Sequence, residues 1–219
     1  CIGKAFFFQN ASEEFGIIES FLFEKGRLFL AEFHFDRVKR SLKEFGIKTA
    51  AVEMRKALKN KIAGLDCRKN YKIRIVVYGC GRILVNFEKL KPVKRGKIAV
   101  SEIKTNSSDI FLRHKTTVRR FYDLEYEKYR KKGFADVVFL NEKNEVTEAH
   151  SANIVIRKRG KLYTPPVSCG LLPGVYRRYL MENRGCREKK IFLKDLYEAD
   201  EIFLCNSVRK TMKVFLQKR

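Results

Sequence analysis

Two loop segments of the chain carry groups that bind phosphate or other anions. A Gly-Leu-Leu-Pro-Gly run at 170–174 precedes a predicted helix, and Asn206 and Ser207 follow an apolar strand. Backbone N–H groups at a helix start favour anions, and Asn and Ser add amide and hydroxyl donors. The N–H groups concerned belong to Gly174, Val175 and Tyr176. An ordinary turn explains either segment equally simply.

Charged side chains add a third anion feature and two catalytic candidates. Arg37 follows His34 by three residues on a predicted helix, where an inward guanidinium would bind phosphate bidentately. Among 48 Lys and Arg residues, an outward and solvated Arg37 is the commoner arrangement. Glu148 shares a strand face with His150, which predicts a partly buried carboxylate with a cationic partner or, alternatively, a solvent-facing one. Composition does not distinguish Lys115 from the other lysines.

The chain is strongly basic. Its 219 residues include 48 Lys and Arg against 25 Asp and Glu, a formal net charge of +23. Such a surface attracts anions, and nucleic acid is therefore one candidate partner. The basic residues are dispersed over both halves, however, and no RNA- or DNA-binding signature is present, so nucleic acid is the less favoured alternative.

Cysteine usage and hydropathy indicate the compartment. The six cysteines are scattered without a CxxC pair, which favours reduced thiols over a zinc site or a disulfide framework, and we expect no metal. No run reaches the roughly 18 uncharged apolar residues that a membrane helix needs, and no basic-then-apolar leader is visible. These patterns predict a cytoplasmic protein.

The first half is predicted to be a small α+β domain over residues 1–100. Residues 16–33 alternate about a glycine turn at 24–27, as in a hairpin. Apolar residues then recur at helical steps from 35 to 45, with Gly46 as the stop, and a second helix is predicted over 51–63. The strands predicted next are 71–78 and 83–87.

The second half is predicted to be a larger α/β domain over 101–219. A basic, proline-containing connection between about 89 and 109 separates it from the first. It opens with a helix over 116–132, ended by Gly133, whose aromatic residues would pack in the core. The later predictions are strands or extended segments at 136–140, 146–157, 190–193, 201–205 and 213–216, and a helix at 175–182. Hairpins mixed with helices indicate an α+β fold in two layers.

Five motifs, taken in order, resemble those of one enzyme family. They are His114-Lys115-Thr116-Thr117, the Asn-Glu-Lys-Asn-Glu-Val-Thr-Glu-Ala-His-Ser-Ala-Asn-Ile segment at 141–154, Tyr-Thr-Pro-Pro at 163–166, Gly-Leu-Leu-Pro-Gly at 170–174 followed by Arg177-Arg178, and Glu-Ile-Phe-Leu-Cys-Asn-Ser-Val at 201–208. Together they closely resemble the fold-type IV pyridoxal-phosphate enzymes, the class IV aminotransferase family. In the first half, His34-Phe35-Asp36-Arg37 resembles the family's H-x-x-R element.

The resemblance implies a two-domain fold like that of D-amino-acid aminotransferase, with pyridoxal 5'-phosphate as cofactor. It implies that Lys115 joins the cofactor aldehyde as a Schiff base and shuttles protons, and that Glu148 pairs with the pyridine nitrogen. The remaining cofactor-binding residues that it implies are Arg37, Gly174, Val175, Tyr176, Asn206 and Ser207. A reactive Lys115 needs a lowered pKa, which burial and cationic neighbours such as His114 or Arg119 would provide.

Within the family, the motifs are most similar to the 4-amino-4-deoxychorismate lyase branch, in the form fused to a chorismate-aminating synthase subunit. A first residue Cys1 rather than methionine fits that origin. The implied reaction converts 4-amino-4-deoxychorismate to 4-aminobenzoate and pyruvate, in folate biosynthesis. The alternative is a branched-chain or D-amino-acid transaminase. Branched-chain members are expected to carry a tyrosine five residues after the lysine, where this chain has Arg120.

The resemblance also has implications for assembly and for the substrate. It implies a homodimer with each active site between the small and large domains, and aminodeoxychorismate synthase as a partner protein. No substrate-binding residue is assigned. Arg74 and Arg82 lie in the region where a substrate carboxylate would bind, but a solvated strand edge is the simpler interpretation of each.

Overall fold

The computed structural model describes residues 15–48, 51–92 and 96–217, so that Cys1 lies outside the described residues. The chain divides into two compact units, the first reaching to Lys91 and including Lys115–Val118, the second formed by Pro92–His114 and the chain from Arg119 onward. This division differs from the predicted boundary at residue 100. Residues 97–105 pair with strands of the second unit, and Thr116 forms a bridge with Ile17 in the first.

The described part of the first unit is a four-stranded sheet with two helices. Its elements are β1 (Gly16–Glu24), β2 (Arg27–Leu28), α1 (Ala31–Glu44), α2 (Ala51–Ile62), β3 (Tyr71–Tyr78) and β4 (Ile83–Lys89), and the strand order is β2-β1-β3-β4. Lys25 and Gly26 both have left-handed backbone angles, as a two-residue hairpin turn requires. The hairpin, both helices and both later strands predicted for this half are confirmed.

The sheet and α1 share the hydrophobic core of the first unit. Phe21 of β1 and Ile73 of β3 are fully buried, and Phe35 and Val38 from α1 are buried with them. The Phe21 ring lies 4.4 Å from the ring of His34, centroid to centroid, and 5.8 Å from that of Phe35. The apolar face of α1 therefore brings a histidine into the core.

The second unit is built on a mixed sheet. Its elements are β5 (Lys97–Thr105), α3 (Arg120–Arg130), β6 (Asp136–Asn141), β7 (Val146–Ala149), β8 (Asn153–Lys158), β9 (Lys161–Thr164), α4 (Val175–Asn183), β10 (Arg187–Glu188), α5 (Leu193–Tyr197), β11 (Glu201–Asn206) and β12 (Lys210–Leu216). Among the described residues, eight strands run in the order β10-β9-β8-β11-β12-β5-β6-β7. A further pairing of β7 with β8 closes part of the sheet on itself around a core that includes Ile154. The predicted α+β fold class is confirmed.

Three predictions for the second unit are wrong. Residues 97–105 form β5 inside the predicted connection, because they pair with β6 and β12. The helix predicted from 116 begins only at Arg120, although Gly133 is left-handed just after its end. No strand forms at 190–193, because the Asp195 carboxylate accepts the Phe192 N–H at 3.0 Å and α5 begins at Leu193.

The extended segment predicted at 146–157 is a hairpin of β7 and β8. Ala149 N donates to Ala152 O at 2.8 Å, which closes the turn, and Glu148 stands opposite Asn153. The turn places the two polar side chains next to each other across the ladder. Within the described ranges, every helix is too short or too polar to cross a membrane.

Candidate functional site

Strand β1 holds the backbone of the Lys115 segment. Ile18 N donates to Lys115 O at 2.7 Å. Gly16 and Thr117 exchange two more hydrogen bonds, from Gly16 N to Thr117 Oγ1 at 3.0 Å and from Thr117 N to Gly16 O at 2.9 Å. These bonds keep Lys115 extended, outside the helix that follows it.

Strand β1 and helix α1 also place three ionisable side chains in the core. Glu19, His34 and Arg37 are 1%, 0% and 6% exposed. Glu19 Oε1 accepts the Arg37 Nε proton, and Oε2 accepts from Arg37 Nη2 and from His34 Nδ1, each at 2.7 Å. The buried position of Arg37 corrects the expectation of an outward side chain. Arg37 is accommodated because Glu19, which the sequence did not single out, balances its charge.

The charges of this cluster fix its protonation states. Burial alone would raise the pKa of Glu19, but the charges and hydrogen bonds of Arg37 and His34 outweigh it and bring that pKa to about 2. Burial lowers the pKa of His34 against the attraction of Glu19, and the positive charges of Arg37 and Lys115 lower it further. At neutral pH, Glu19 is therefore ionised and His34 is neutral with its proton on Nδ1. His34 Nε2 is buried and has no hydrogen-bond partner among the described residues.

Glu148 in the second unit is a buried carboxylate that accepts hydrogen bonds from a tyrosine, an asparagine and a backbone N–H. It is 8% exposed, which excludes the solvent-facing alternative. Tyr122 Oη donates to Oε1 at 3.3 Å, and Oε2 accepts from Asn153 Nδ2 at 3.4 Å and from Leu172 N at 3.3 Å. Contacts of this length are weak hydrogen bonds. Burial and the charge of Glu148 raise the pKa of Tyr122 far above its usual value, so its hydroxyl remains a donor.

Asn153 connects Glu148 to the start of helix α4. Asn153 Nδ2 also donates to Leu172 O at 2.9 Å. A Cβ built on Gly174 would lie 1.8 Å from Asn153 Oδ1, so any side chain at position 174 must displace the amide. Gly174 is the N-cap residue of α4 and supplies no side-chain cap to the first turn. The first-turn N–H groups of α4 therefore project at the end of the helix next to Asn153.

The first turn of α4 is anchored by buried side chains. Val175 and Tyr176 are 4% and 8% exposed, so both side chains pack into the protein. Arg177 is buried as well, donates from Nη2 to Pro165 O at 2.8 Å and pairs with Glu188. These contacts fix the position of the helix end.

The Asn206 side chain orders the turn that follows β11. Its Nδ2 donates to Ser151 O at 3.1 Å, and its Oδ1 accepts from Val208 N at 3.1 Å and Arg209 N at 2.8 Å. The side chain thus fixes the backbone around Ser207, which is buried. Both the nitrogen and the oxygen of the Asn206 amide are therefore engaged within the protein.

The predicted site residues fall into two groups. Glu148, Gly174, Val175, Tyr176, Asn206 and Ser207 belong to the second unit, and Arg37 and Lys115 to the first. In the second unit the common neighbour is Asn153, which pairs with both Glu148 and Cys205 in the sheet and contacts Gly174. Asn153 lay inside a recognised motif, but only the fold shows that it joins these elements.

Arg119, named as a cationic neighbour for Lys115, has partners in the second unit. Its Nε donates to Asp123 Oδ1 at 2.8 Å, and its Nη2 donates to His150 O at 3.0 Å. The positive charge of Lys115 acts on His34, which lies in the first unit. Lys115 is therefore related electrostatically to His34, the histidine that pairs with Glu19.

Comparison with known proteins identifies relatives over most of this chain. The family model described as "Amino-transferase class IV" matches residues 16–215. The chain is 30% identical over 222 residues to the aminodeoxychorismate lyase of Bacillus subtilis, covering 88% of this chain and 74% of that protein. It is 24% identical over 220 residues to the D-alanine aminotransferase of Bacillus licheniformis, covering 91% and 77%.

Solved structures share the fold. The branched-chain aminotransferase from Thermoproteus uzoniensis, solved with norvaline, matches with a TM-score of 0.84 and 24% identity. The match covers 94% of this chain and 79% of that one. The similarity confirms the fold that the ordered motifs predicted.

Proposed function

Because the chain belongs to the class IV aminotransferase family, whose members depend on pyridoxal phosphate, we propose that it is a lyase converting 4-amino-4-deoxychorismate to 4-aminobenzoate and pyruvate. Two observations support the reaction type. A lyase relative is 30% identical over most of both chains, and the motifs around Lys115 resemble those of the lyase branch. The proposal includes a cytoplasmic homodimer and a synthase that supplies the substrate.

The cluster of Glu148, Asn153 and Gly174 carries the cofactor part of the proposal. A protonated ring nitrogen suits a buried carboxylate, because an ionised acid removed from water is stabilised by a positively charged partner. The glycine lets the Asn153 amide lie against the helix start, where a Cβ would collide with it. A phosphate suits the uncapped first turn of α4. The residues present therefore fit pyridoxal phosphate.

Each group has a defined task in the proposed reaction. Bound pyridoxal phosphate would supply an electron-accepting ring. Glu148 would hold a proton at the ring nitrogen, and Arg37 with the start of α4 would hold the phosphate. Lys115 Nζ would take the proton from the substrate carbon that carries the amino group. The bond between the ring carbon and the ether oxygen of the enolpyruvyl group then breaks, and a proton is returned to the departing three-carbon unit. 4-Aminobenzoate and pyruvate together then contain every atom of the substrate.

The transaminase alternative is supported by the similarity to the D-alanine aminotransferase of Bacillus licheniformis, and the branched-chain aminotransferase structure shares the fold. Against it, Arg120 replaces the tyrosine expected in branched-chain members and is exposed at the start of α3. The tyrosine that contacts the buried acid is Tyr122, two positions further on. We therefore favour the lyase.

One paired assay decides between the two reactions. The purified protein with pyridoxal phosphate is supplied with 4-amino-4-deoxychorismate, and pyruvate and 4-aminobenzoate are measured separately. We expect both products in equal amounts, loss of both in Lys115→Ala, and no change in the exposed control Lys131→Ala. Amino transfer from an amino acid to a 2-oxo acid without equimolar release of the two products would instead establish the transaminase.

A further inference from the structure

We infer that Glu19 is a positioning residue that fixes the Arg37 guanidinium and the His34 imidazole for the site to which Lys115 belongs. The inference rests on the proposed function, in which Arg37 holds the cofactor phosphate. It assigns a task to a residue outside the recognised motifs.

The geometry of the ion pair determines which donors Arg37 can present. Glu19 takes the Nε proton and one Nη2 proton at 2.7 Å each, so the carboxylate and the guanidinium lie as a bidentate pair. A guanidinium has five N–H donors, and this pairing fixes its plane while the other three point away from Glu19. Glu19 thus sets the direction in which Arg37 meets a phosphate.

Strand β1 links this orientation to Lys115. Ile18, the residue before Glu19, donates its N–H to Lys115 O at 2.7 Å. Glu19 itself stands opposite Ile75 in the β1–β3 ladder, and Ile75 is fully buried. A single rigid strand therefore positions the backbone of Lys115 and the acid that orients Arg37. His34, held by the same acid, is close enough for the Lys115 charge to act on it.

Stability alone does not account for this cluster. Two charges taken out of water lose much of their solvation, and a buried ion pair often stabilises a fold no better than apolar residues of similar volume. His34 Nε2 adds a buried polar atom without a partner among the described residues, which costs further free energy. An arrangement that is costly for folding but precisely oriented is typical of a site that is preorganised for a ligand.

The test compares cofactor affinity with and without the phosphate. Wild type, Glu19→Gln and Glu19→Asp are titrated with pyridoxal phosphate and with pyridoxal, with the exposed Glu53→Gln as control. Gln keeps the length but removes the charge, and Asp keeps the charge but is one methylene too short for the bidentate contact. We expect the affinity for pyridoxal phosphate, divided by the affinity for pyridoxal, to fall about 10- to 100-fold in both Glu19 variants. This is the usual effect of losing a residue that orients a ligating group. The ratio should not change in the control.

Each other outcome has a distinct meaning. A ratio that stays at the wild-type value in both folded variants, or rises in Glu19→Gln because an unbalanced Arg37 attracts phosphate more strongly, overturns the positioning role. Equal losses of affinity for pyridoxal phosphate and for pyridoxal, which leave the ratio unchanged, also contradict it. If Glu19→Gln does not fold, Glu19→Asp decides alone. Wild type that binds neither compound refutes the proposed function itself.

Discussion

Two of the buried acids, Glu19 and Glu148, are held in different ways. Glu19 accepts three hydrogen bonds of 2.7 Å from Arg37 and His34, whereas the contacts described for Glu148 come from neutral groups at 3.3–3.4 Å. The first acid is bound tightly by the Arg37 cation and the His34 ring and acts as an anchor. The second accepts longer hydrogen bonds, and our proposal assigns it to the ring nitrogen of the cofactor. We therefore assign Glu19 to orienting Arg37 and Glu148 to contacting the cofactor ring.

Replacing Glu148 with Gln should have the largest effect on activity. The variant keeps the size of the side chain but removes the charge proposed to hold a proton at the cofactor ring. We expect kcat to fall about 10²- to 10³-fold, the range seen when a preorganised electrostatic contact is lost, with little change in melting temperature. Steady-state kinetics and thermal unfolding of the same preparation measure both. A kcat close to that of wild type would show that Glu148 does not hold a proton at the cofactor ring.

Replacing Glu19 with Gln should also lower the stability of the fold, in a way that depends on pH. The folded-state pKa of about 2 lies below the ordinary value of 4.5, so the ionised acid stabilises the fold above about pH 4.5, and that contribution is lost as pH falls toward 2. We expect the variant to lose on the order of 3 kcal/mol of unfolding free energy at pH 7. Urea unfolding at several pH values measures it. The difference from wild type should shrink toward pH 2, and a constant difference would contradict the assignment.

Replacing Gly174 with Ala tests the contact between α4 and Asn153. The new Cβ would lie 1.8 Å from Asn153 Oδ1, so the amide must move away from Leu172 and Glu148. We expect a loss of about 1–3 kcal/mol in stability, typical of overpacking, together with weaker cofactor binding. Gly64→Ala is the matched control, because its Cβ would meet nothing within 4 Å. Equal behaviour of the two variants would show that the contact is unimportant.

Replacing Tyr122 with Phe should have the smallest effect. The change removes one neutral donor at 3.3 Å from Glu148 and keeps the ring, which packs 4.7 Å from that of Phe139. We expect less than about 1 kcal/mol in stability and only a few-fold change in kcat. A loss comparable to that of Glu148→Gln would mean that the hydroxyl takes part in the chemistry directly.

The sequence predicted most reliably what depends on neighbouring residues. Helix α1 was recognised from its apolar repeat with Gly46 after its end, and the first hairpin from its glycine turn. Strand β5 was missed because its partners, β6 and β12, are distant in the chain and its own pattern is largely polar. The start of α3 was misplaced because the pairing of Thr116 with Ile17 keeps the preceding residues extended.

The same distinction applies to the site. The motifs predicted Glu148 and Gly174, and the fold then placed both against Asn153. Glu19 could not be found, because its importance lies in contacts with residues 15 and 18 positions away in the chain. A glutamate in an apolar strand was the available signal, since an acid there needs a buried partner.

The most direct test of the proposed role of Lys115 locates the covalent bond between the protein and its cofactor. The protein is incubated with pyridoxal phosphate, reduced with borohydride and digested, and the modified peptide is identified by mass spectrometry. We predict a single stoichiometric modification on Lys115, although the chain has 28 lysines, and none in Lys115→Ala. Modification of another lysine, or none, would contradict the assignment of this chain as a pyridoxal-phosphate enzyme acting through Lys115.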